Sequence, residues 1–161
     1  MMVSSPLKIP ATSKLIYLGG MAALNLPSAT GTGDWHMHQT FFRPRQSFSR
    51  SFISGKGCAT DTLDMLGDSG IYDCTSILKS LGIPHEGTNA FAANHARATA
   101  DIVLDAVMRG GSPDFVVLDD WMPRLSDKHE VLKLLHKAQE FLIIEQQAVL
   151  HAWIEKSFDQ E

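Results

Sequence analysis

The stretch TNAFAANHARATADIVLDAVMRGG at 88–111 most constrains the fold, because it predicts one long helix in the middle of the chain. Thr88 or Asn89 is the expected N-cap, and Gly110 stands at the expected end. Alanine recurs at every fourth position of its first half. This spacing predicts a smooth ridge against which another element can pack closely.

Strand patterns are few and mostly early, whereas helical patterns dominate the later sequence. The strand-like runs are KLIYL at 14–18, FSRSFIS at 48–54 and DFVVLDD at 114–120, and the other helical runs are SGIYDCTSILKSLG at 69–82, KHEVLKLLHKAQ and IIEQQAVLHAWIEKS. A doubly wound parallel sheet needs more strand–helix alternations than these. The expected class is therefore α+β, a small sheet with helices packed on one side and a mostly helical C-terminal half.

The length of 161 residues predicts a single domain over 1–161, with residues 1–13 expected to be frayed. No apolar run reaches the roughly 18 residues that cross a bilayer, and the start does not resemble a signal peptide, so we expect a cytoplasmic protein. Two cysteines, Cys58 and Cys74, exclude a four-cysteine zinc site and fit reduced thiols.

Charge divides the chain unevenly. Residues 1–60 carry a net charge of +5 with Asp34 as their only acid, whereas residues 61–161 carry −9. Between residues 28 and 57 the composition changes to Gly, Ser, Thr, Arg and Phe, which predicts a loop-rich, basic segment. Such a long loop-rich stretch is uncommon in a compact domain unless it serves binding. This segment is the best candidate for a functional region.

The most basic part of that segment is FFRPRQSFSRSFISGKG at 41–57, where arginine and lysine alternate with phenylalanine and no acid intervenes. Guanidinium groups pair with phosphates, and exposed phenylalanines can stack on bases. An acidic protein surface would suit the same side chains. Alternatively, the phenylalanines belong to the core and the arginines form its solvated opposite face.

The stretch TGTGDWHMH at 30–38 combines two glycines with a carboxylate, an indole and two imidazoles. On a strand, Asp34, His36 and His38 would point to one side and could hold a metal. They could equally contact a non-metal ligand or a partner. In the third interpretation the glycines and Asp34 make a turn and Trp35 is an anchor in the core.

A second pair of candidate ligands, Asp119 and Asp120, stands at the end of the strand-like run at 114–120. These two carboxylates either bind a cation or open a turn.

The phrases IYLGGMAALNLP, GTGDWH and GDSGIYDC resemble small bacterial proteins of toxin–antitoxin and defence-gene neighbourhoods, over residues 14 to 121. This resemblance implies an antitoxin or partner protein rather than a metabolic enzyme, and it implies no catalytic residue.

The leading expectation is a non-enzymatic binding protein whose protein partner, such as a cognate toxin, has a charged or nucleotide-binding cleft that the basic segment occludes. No cofactor is predicted, and self-association stays open. The predicted binding residues are Asp34, Trp35, His36, His38, Arg43, Arg45, Phe48, Arg50 and Lys56. One alternative is a metal-dependent hydrolase or nuclease using Asp34, His36 and His38. Another is a DNA-binding regulator, which the overall negative charge disfavours.

Overall fold

Four short strands and seven helices form within residues 8–27 and 53–158, the parts of the chain that this computed structural model describes. The strands are β1 (Ile16–Leu18), β2 (Ile53–Gly55), β3 (Ile71–Asp73) and β4 (Phe91–Ala93). The helices are α1 (Gly20–Leu24), α2 (Leu63–Leu66), α3 (Thr75–Leu81), α4 (His95–Met108), α5 (Leu118–Trp121), α6 (Leu125–Gln139) and α7 (Ile144–Phe158). The predicted α+β class and the helical C-terminal region are confirmed.

The strands form one mixed sheet in the order β2-β1-β4-β3. β1 pairs in parallel with β4, with Leu18 opposite Ala92, while the two outer strands pair antiparallel to their neighbours. Each outer strand has only three residues, which limits the unpaired edge that the sheet presents. The carboxyl ends of β1 and β4 therefore lie side by side, where α1 and α4 begin.

Helix α4 starts later than its sequence pattern predicts. Asn94, not Thr88 or Asn89, is the N-cap, and its side-chain oxygen accepts a hydrogen bond of 2.8 Å from the amide of Arg97. The preceding residues 91–93 are extended because β4 pairs with strands on both of its sides. The C-terminal end agrees with the prediction to within two residues, since α4 ends at Met108.

Two further predictions from local pattern need correction. Residues 71–73 of the predicted helix 69–82 form β3, and α3 begins only at Thr75, although it ends at Gly82 as predicted, with Gly82 in the left-handed conformation at φ 73°. The run 114–120 is not a strand. Its first residues form turns and its last ones begin α5, because none of the described strands pairs with it.

The largest apolar core lies between α4, α6 and α7, where Val103, Leu135 and Trp153 are at most 2% exposed. Neighbouring residues of β1 point into two other clusters, Tyr17 toward Ala98 of α4 and Leu18 toward Leu78 of α3. The sheet is thus joined to the helical region mainly through α4. Among the described helices, none is long and apolar enough to span a bilayer.

Candidate functional site

Eight of the nine predicted binding residues lie outside the described parts of the chain. The residues that lie outside the described parts of the chain are Asp34, Trp35, His36, His38, Arg43, Arg45, Phe48 and Arg50. Lys56 is described, and its side chain is exposed directly after β2. The three interpretations of 30–38 and the alternatives for 41–57 therefore stay predictions.

Lys56 lies in the last part of the basic segment, directly after β2. Its amide donates a hydrogen bond of 2.9 Å to the carbonyl of Leu15, so the end of β2 is fastened beside the start of β1. Leu15 is 54% exposed, and the neighbouring Lys14 is 59% exposed. We call these three side chains, Lys14, Leu15 and Lys56, the β1–β2 edge. These three exposed residues lie where β1 begins and β2 ends.

Lys14 of the β1–β2 edge has only a distant counter-charge. Lys14 approaches a carboxylate oxygen of Asp68 at 3.9 Å, and both side chains are more than half exposed. Exposed ion pairs of this kind contribute between 0 and about 1 kcal/mol. Lys14 can therefore exchange Asp68 for a carboxylate on an acidic surface.

Metal ligation has no support within residues 8–27 and 53–158, where no group of three or more His, Cys, Asp or Glu side chains could hold an ion. Asp119, a predicted cation ligand, instead bonds the ammonium group of Lys128. The nearby Asp120 is exposed in α5, a single helical turn.

A buried ion pair between Arg97 and Asp101 is the most constrained polar arrangement in the described chain. Both side chains are at most 1% exposed, and the Arg97 Nε donates to Asp101 at 2.9 Å. The Nη1 donates to the carbonyls of Gly67 and Ser69 at 2.9 and 2.6 Å. The sequence shows both residues at the i,i+4 spacing of a helix, but it shows neither their burial nor their partners.

Two hydroxyl groups complete this network. The Nη2 of Arg97 donates to Tyr17 and Thr62, and each of these hydroxyls donates onward to a different oxygen of Asp101, at 2.5 and 2.6 Å. All five N–H groups of the guanidinium are thereby used. Burial, together with the negative charge of Asp101, raises the pKa of Tyr17, so its hydroxyl keeps the proton that it donates.

The arrangement fastens four segments to one another: β1, the start of α2, the 67–69 turn and α4. Its donors and acceptors are directed at one another and not at solvent. Replacing such a network by apolar groups can be neutral, whereas removing one member leaves a buried charge without its partner. We therefore assign the Arg97–Asp101 network to positioning the fold around the sheet.

His95, the first residue of α4, also links two elements. Its Nε2 lies 2.7 Å from the carbonyl oxygen of Leu26 and the side chain is 6% exposed. A carbonyl can only accept, so the Nε2 carries the proton. This contact ties the start of α4 to the segment that follows α1, and it makes His95 a hydrogen-bonded buried residue.

The cysteines do not indicate a reactive thiol. Both are free of disulfide bonds, and Cys74 is fully buried. Burial, and secondarily the charge of Asp73, raises the pKa of the Cys74 thiol to about 12. Burial also raises the pKa of Cys58. Since the thiolate is the nucleophilic form, neither site favours nucleophilic chemistry near neutral pH.

Comparisons with protein-family models, with curated proteins and with solved structures found no match to this chain. The resemblance to antitoxin-like proteins is therefore neither supported nor contradicted.

Proposed function

We propose that this protein is a non-enzymatic binding protein, antitoxin-like in its action, whose basic segment 41–57 occludes a charged or nucleotide-binding cleft of a partner protein. The observation that carries the proposal is the acid-free run of arginine, lysine and phenylalanine at 41–57, whose described residue Lys56 is exposed next to Leu15. A surface of this composition suits an acidic cleft lined partly by apolar groups.

Occlusion would work through charge and bulk together. Arginine side chains would enter the partner's cleft and form bidentate contacts with carboxylates or a phosphate. Rim lysines such as Lys56 would steer the encounter and raise the association rate. The phenylalanines between the arginines would bury apolar area and exclude water. No group on this chain needs to change covalently during such a process.

The sheet gives this segment a firm base. Ile53 at the start of β2 pairs with Leu18 of β1. Tyr17, the neighbour of Leu18 in β1, is hydrogen-bonded to the buried Arg97–Asp101 network. The position where the basic segment enters the sheet is therefore set by buried contacts. A fixed base lowers the entropy that a binding segment loses on docking.

The test uses tagged full-length chain to capture its partner from cells of the source organism, followed by binding kinetics with the purified partner. Arg43→Glu/Arg45→Glu is expected to weaken association at least about tenfold, mainly through the association rate, and to flatten its salt dependence. Lys79→Glu/Lys133→Glu is the matched control, because it makes the same charge change on exposed positions of α3 and α6. The control should bind as the wild type does.

Two outcomes would contradict the proposal. One is a partner that binds both double variants equally well. The other is stoichiometric metal in protein purified without chelator that disappears in His36→Ala, since it would favour a metal-dependent enzyme over a binding protein.

A further inference from the structure

The side of α7 that faces away from the core is apolar along its middle. On the inner side of the helix, Trp153 is 2% exposed and packs in the largest core cluster. On the opposite side, Ala148 and Ala152 are exposed one helical turn apart, and Val149 beside them is 37% exposed. A surface helix ordinarily carries polar residues on the side away from the core. Apolar residues on both sides therefore indicate that a further element covers α7 from outside.

The exposed apolar surface continues to the start of α7. Ile143 and Ile144 are 61% and 79% exposed, and Phe141 before them is 54% exposed. Single exposed apolar side chains are ordinary, but a contiguous group of them marks an interaction surface. Four large apolar side chains, counting Val149, are exposed between residues 141 and 149. These residues therefore form one end of an interaction surface that runs along α7.

The charged residues at the two ends of this side of α7 are complementary to each other. Glu145 lies in the first turn and Lys156 in the last turn. Their separation is about three helical turns, so both lie in line with Val149 and Ala152. We call these four residues and Ala148 the α7 outer face.

This arrangement is matched by a second copy of the same helix. When two copies of α7 pack antiparallel about a twofold axis, Glu145 lies opposite Lys156 of the other copy. Val149 then lies opposite Ala152 of the other copy, because both pairs have the same midpoint, between residues 150 and 151. The twofold axis repeats each contact, so the pairing of opposite charges and the pairing of a larger with a smaller apolar side chain both occur twice.

Both charged groups can take such a partner. Lys156 is 69% exposed, and its Nζ lies 3.7 Å from Asp114. An ammonium group has three N–H donors, so this contact leaves donors for a second carboxylate. Glu145 is exposed, and no lysine or arginine in the described parts of the chain lies within ion-pair distance of it.

We propose that the α7 outer face binds the same face of a second copy of this chain, antiparallel and about a twofold axis beside residues 150 and 151. The small side chains of Ala148 and Ala152 let the two helices approach closely. The ion pairs between Glu145 and Lys156 fix the direction and register of the two helices. This self-association goes beyond the proposed function, because it uses α7 and not the basic segment 41–57 and needs no other protein.

The experiment measures the mass of the purified full-length chain by light scattering, from about 1 μM to about 1 mM, the range in which weak and moderately tight dimers dissociate. The wild type is expected to approach twice its chain mass of 17.7 kDa as the concentration rises. Ala152→Glu should raise the dimer dissociation constant at least about tenfold, because it places two bulky carboxylates where the helices approach most closely.

A charge swap makes the assignment specific. Glu145→Lys places lysine opposite lysine at both ends of the interface, and Lys156→Glu places glutamate opposite glutamate. Each variant alone should raise the dissociation constant about tenfold or more. Mixed in equal amounts, the two variants should form a heterodimer, because the lysines of one chain then face the glutamates of the other at both ends. Glu86→Lys and Lys79→Glu are the matched controls, since both residues are exposed and lie in or after α3, away from α7.

Three outcomes would overturn the proposal. The first is wild-type protein that keeps the mass of one chain throughout the series. The second is a dimer that the controls weaken as much as the α7 variants do, and the third is a mixture of the two charge variants that fails to associate. Circular dichroism of each variant establishes that it is folded. These readouts use the isolated chain, so a failure of self-association is distinct from a failure of partner capture.

Discussion

Helix α4 carries two Arg–Asp pairs of the same spacing that differ in burial, and they provide a controlled test of the network. Arg97 and Asp101 lie 2.9 Å apart with exposures of 0% and 1%. Arg109 and Asp105 lie 2.8 Å apart with exposures of 59% and 25%. Both pairs join the guanidinium Nε to a carboxylate oxygen at i,i+4.

Asp101→Asn keeps the shape of the side chain but removes its charge. The Arg97 guanidinium then stays buried without a counter-charge, and the new amide nitrogen cannot accept from the hydroxyl of Tyr17 or Thr62. We expect the free energy of unfolding to fall by about 3–5 kcal/mol, the usual cost of breaking a buried pair. That is a large part of the 5–15 kcal/mol that stabilises a typical domain. Asp105→Asn breaks the partly exposed pair and should cost less than about 1 kcal/mol.

Urea denaturation followed by circular dichroism measures both variants, with the free energy extrapolated linearly to water. If Asp101→Asn does not fold, Tyr17→Phe is the milder probe and should cost about 1–3 kcal/mol, because one oxygen of Asp101 loses its donor. Costs for Asp101→Asn and Asp105→Asn that agree within about 1 kcal/mol would refute the role given to burial.

Two further predictions concern the sheet edge and alkaline pH. Gly55→Ala should destabilise the protein by more than the roughly 1–3 kcal/mol of backbone strain, because its φ is +118° and an added Cβ would lie 2.0 Å from the carbonyl oxygen of Leu15. Gly57→Ala is the control, because its φ is also positive, at +77°, but an added Cβ would meet open space. Equal losses of stability in thermal denaturation would contradict the steric argument. The free energy of unfolding should also fall as pH rises from about 9 toward 12, because burial raises the pKa of Cys74 from its ordinary 9.0 to about 12 and only the unfolded chain then releases that proton. Cys74 contributes a limiting slope of about 1.4 kcal/mol per pH unit. Burial also raises the pKa values of Tyr17 and Tyr72 above their ordinary 10.0, so these two groups add to the loss only at higher pH. Cys74→Ala should therefore remove the part of the loss that begins near pH 9 in urea denaturation at several pH values. An unchanged slope would assign the alkaline loss to other groups.

Local signals predicted those elements whose residues decide their own conformation. The strand at β1, the end of α3 at Gly82 and helix α7 all follow from apolar pattern and terminal glycine. β3 and β4 were not predicted, because residues 71–73 fit the apolar spacing of the helix predicted at 69–82 and residues 91–93 belong to the alanine-rich run predicted as one helix at 88–111. Their extended form depends on pairing, as between Ala92 and Leu18, which are far apart in the chain.

The candidate site, too, could be predicted from the sequence only where local signals are sufficient. Charge and composition identified the basic segment, and Lys56 is exposed as a binding role requires. The contact of the 114–118 run with α7 was not predicted, because Val116 and Leu118 alternate with exposed residues as they would on a strand. Only the tertiary structure brings the indole of Trp153 within hydrogen-bond distance of the carbonyl of Val116.

The amino-acid sequence by itself determined the α+β class, the helical C-terminal region and the separation of positive from negative charge. These properties depend on periodicity and composition, which are local or additive along the chain. The tertiary structure alone decided which polar groups are buried. Arg97 is fully buried although arginine is ordinarily exposed, and what makes its burial tolerable is a set of partners contributed by separate segments of the chain. No local pattern specifies such a set.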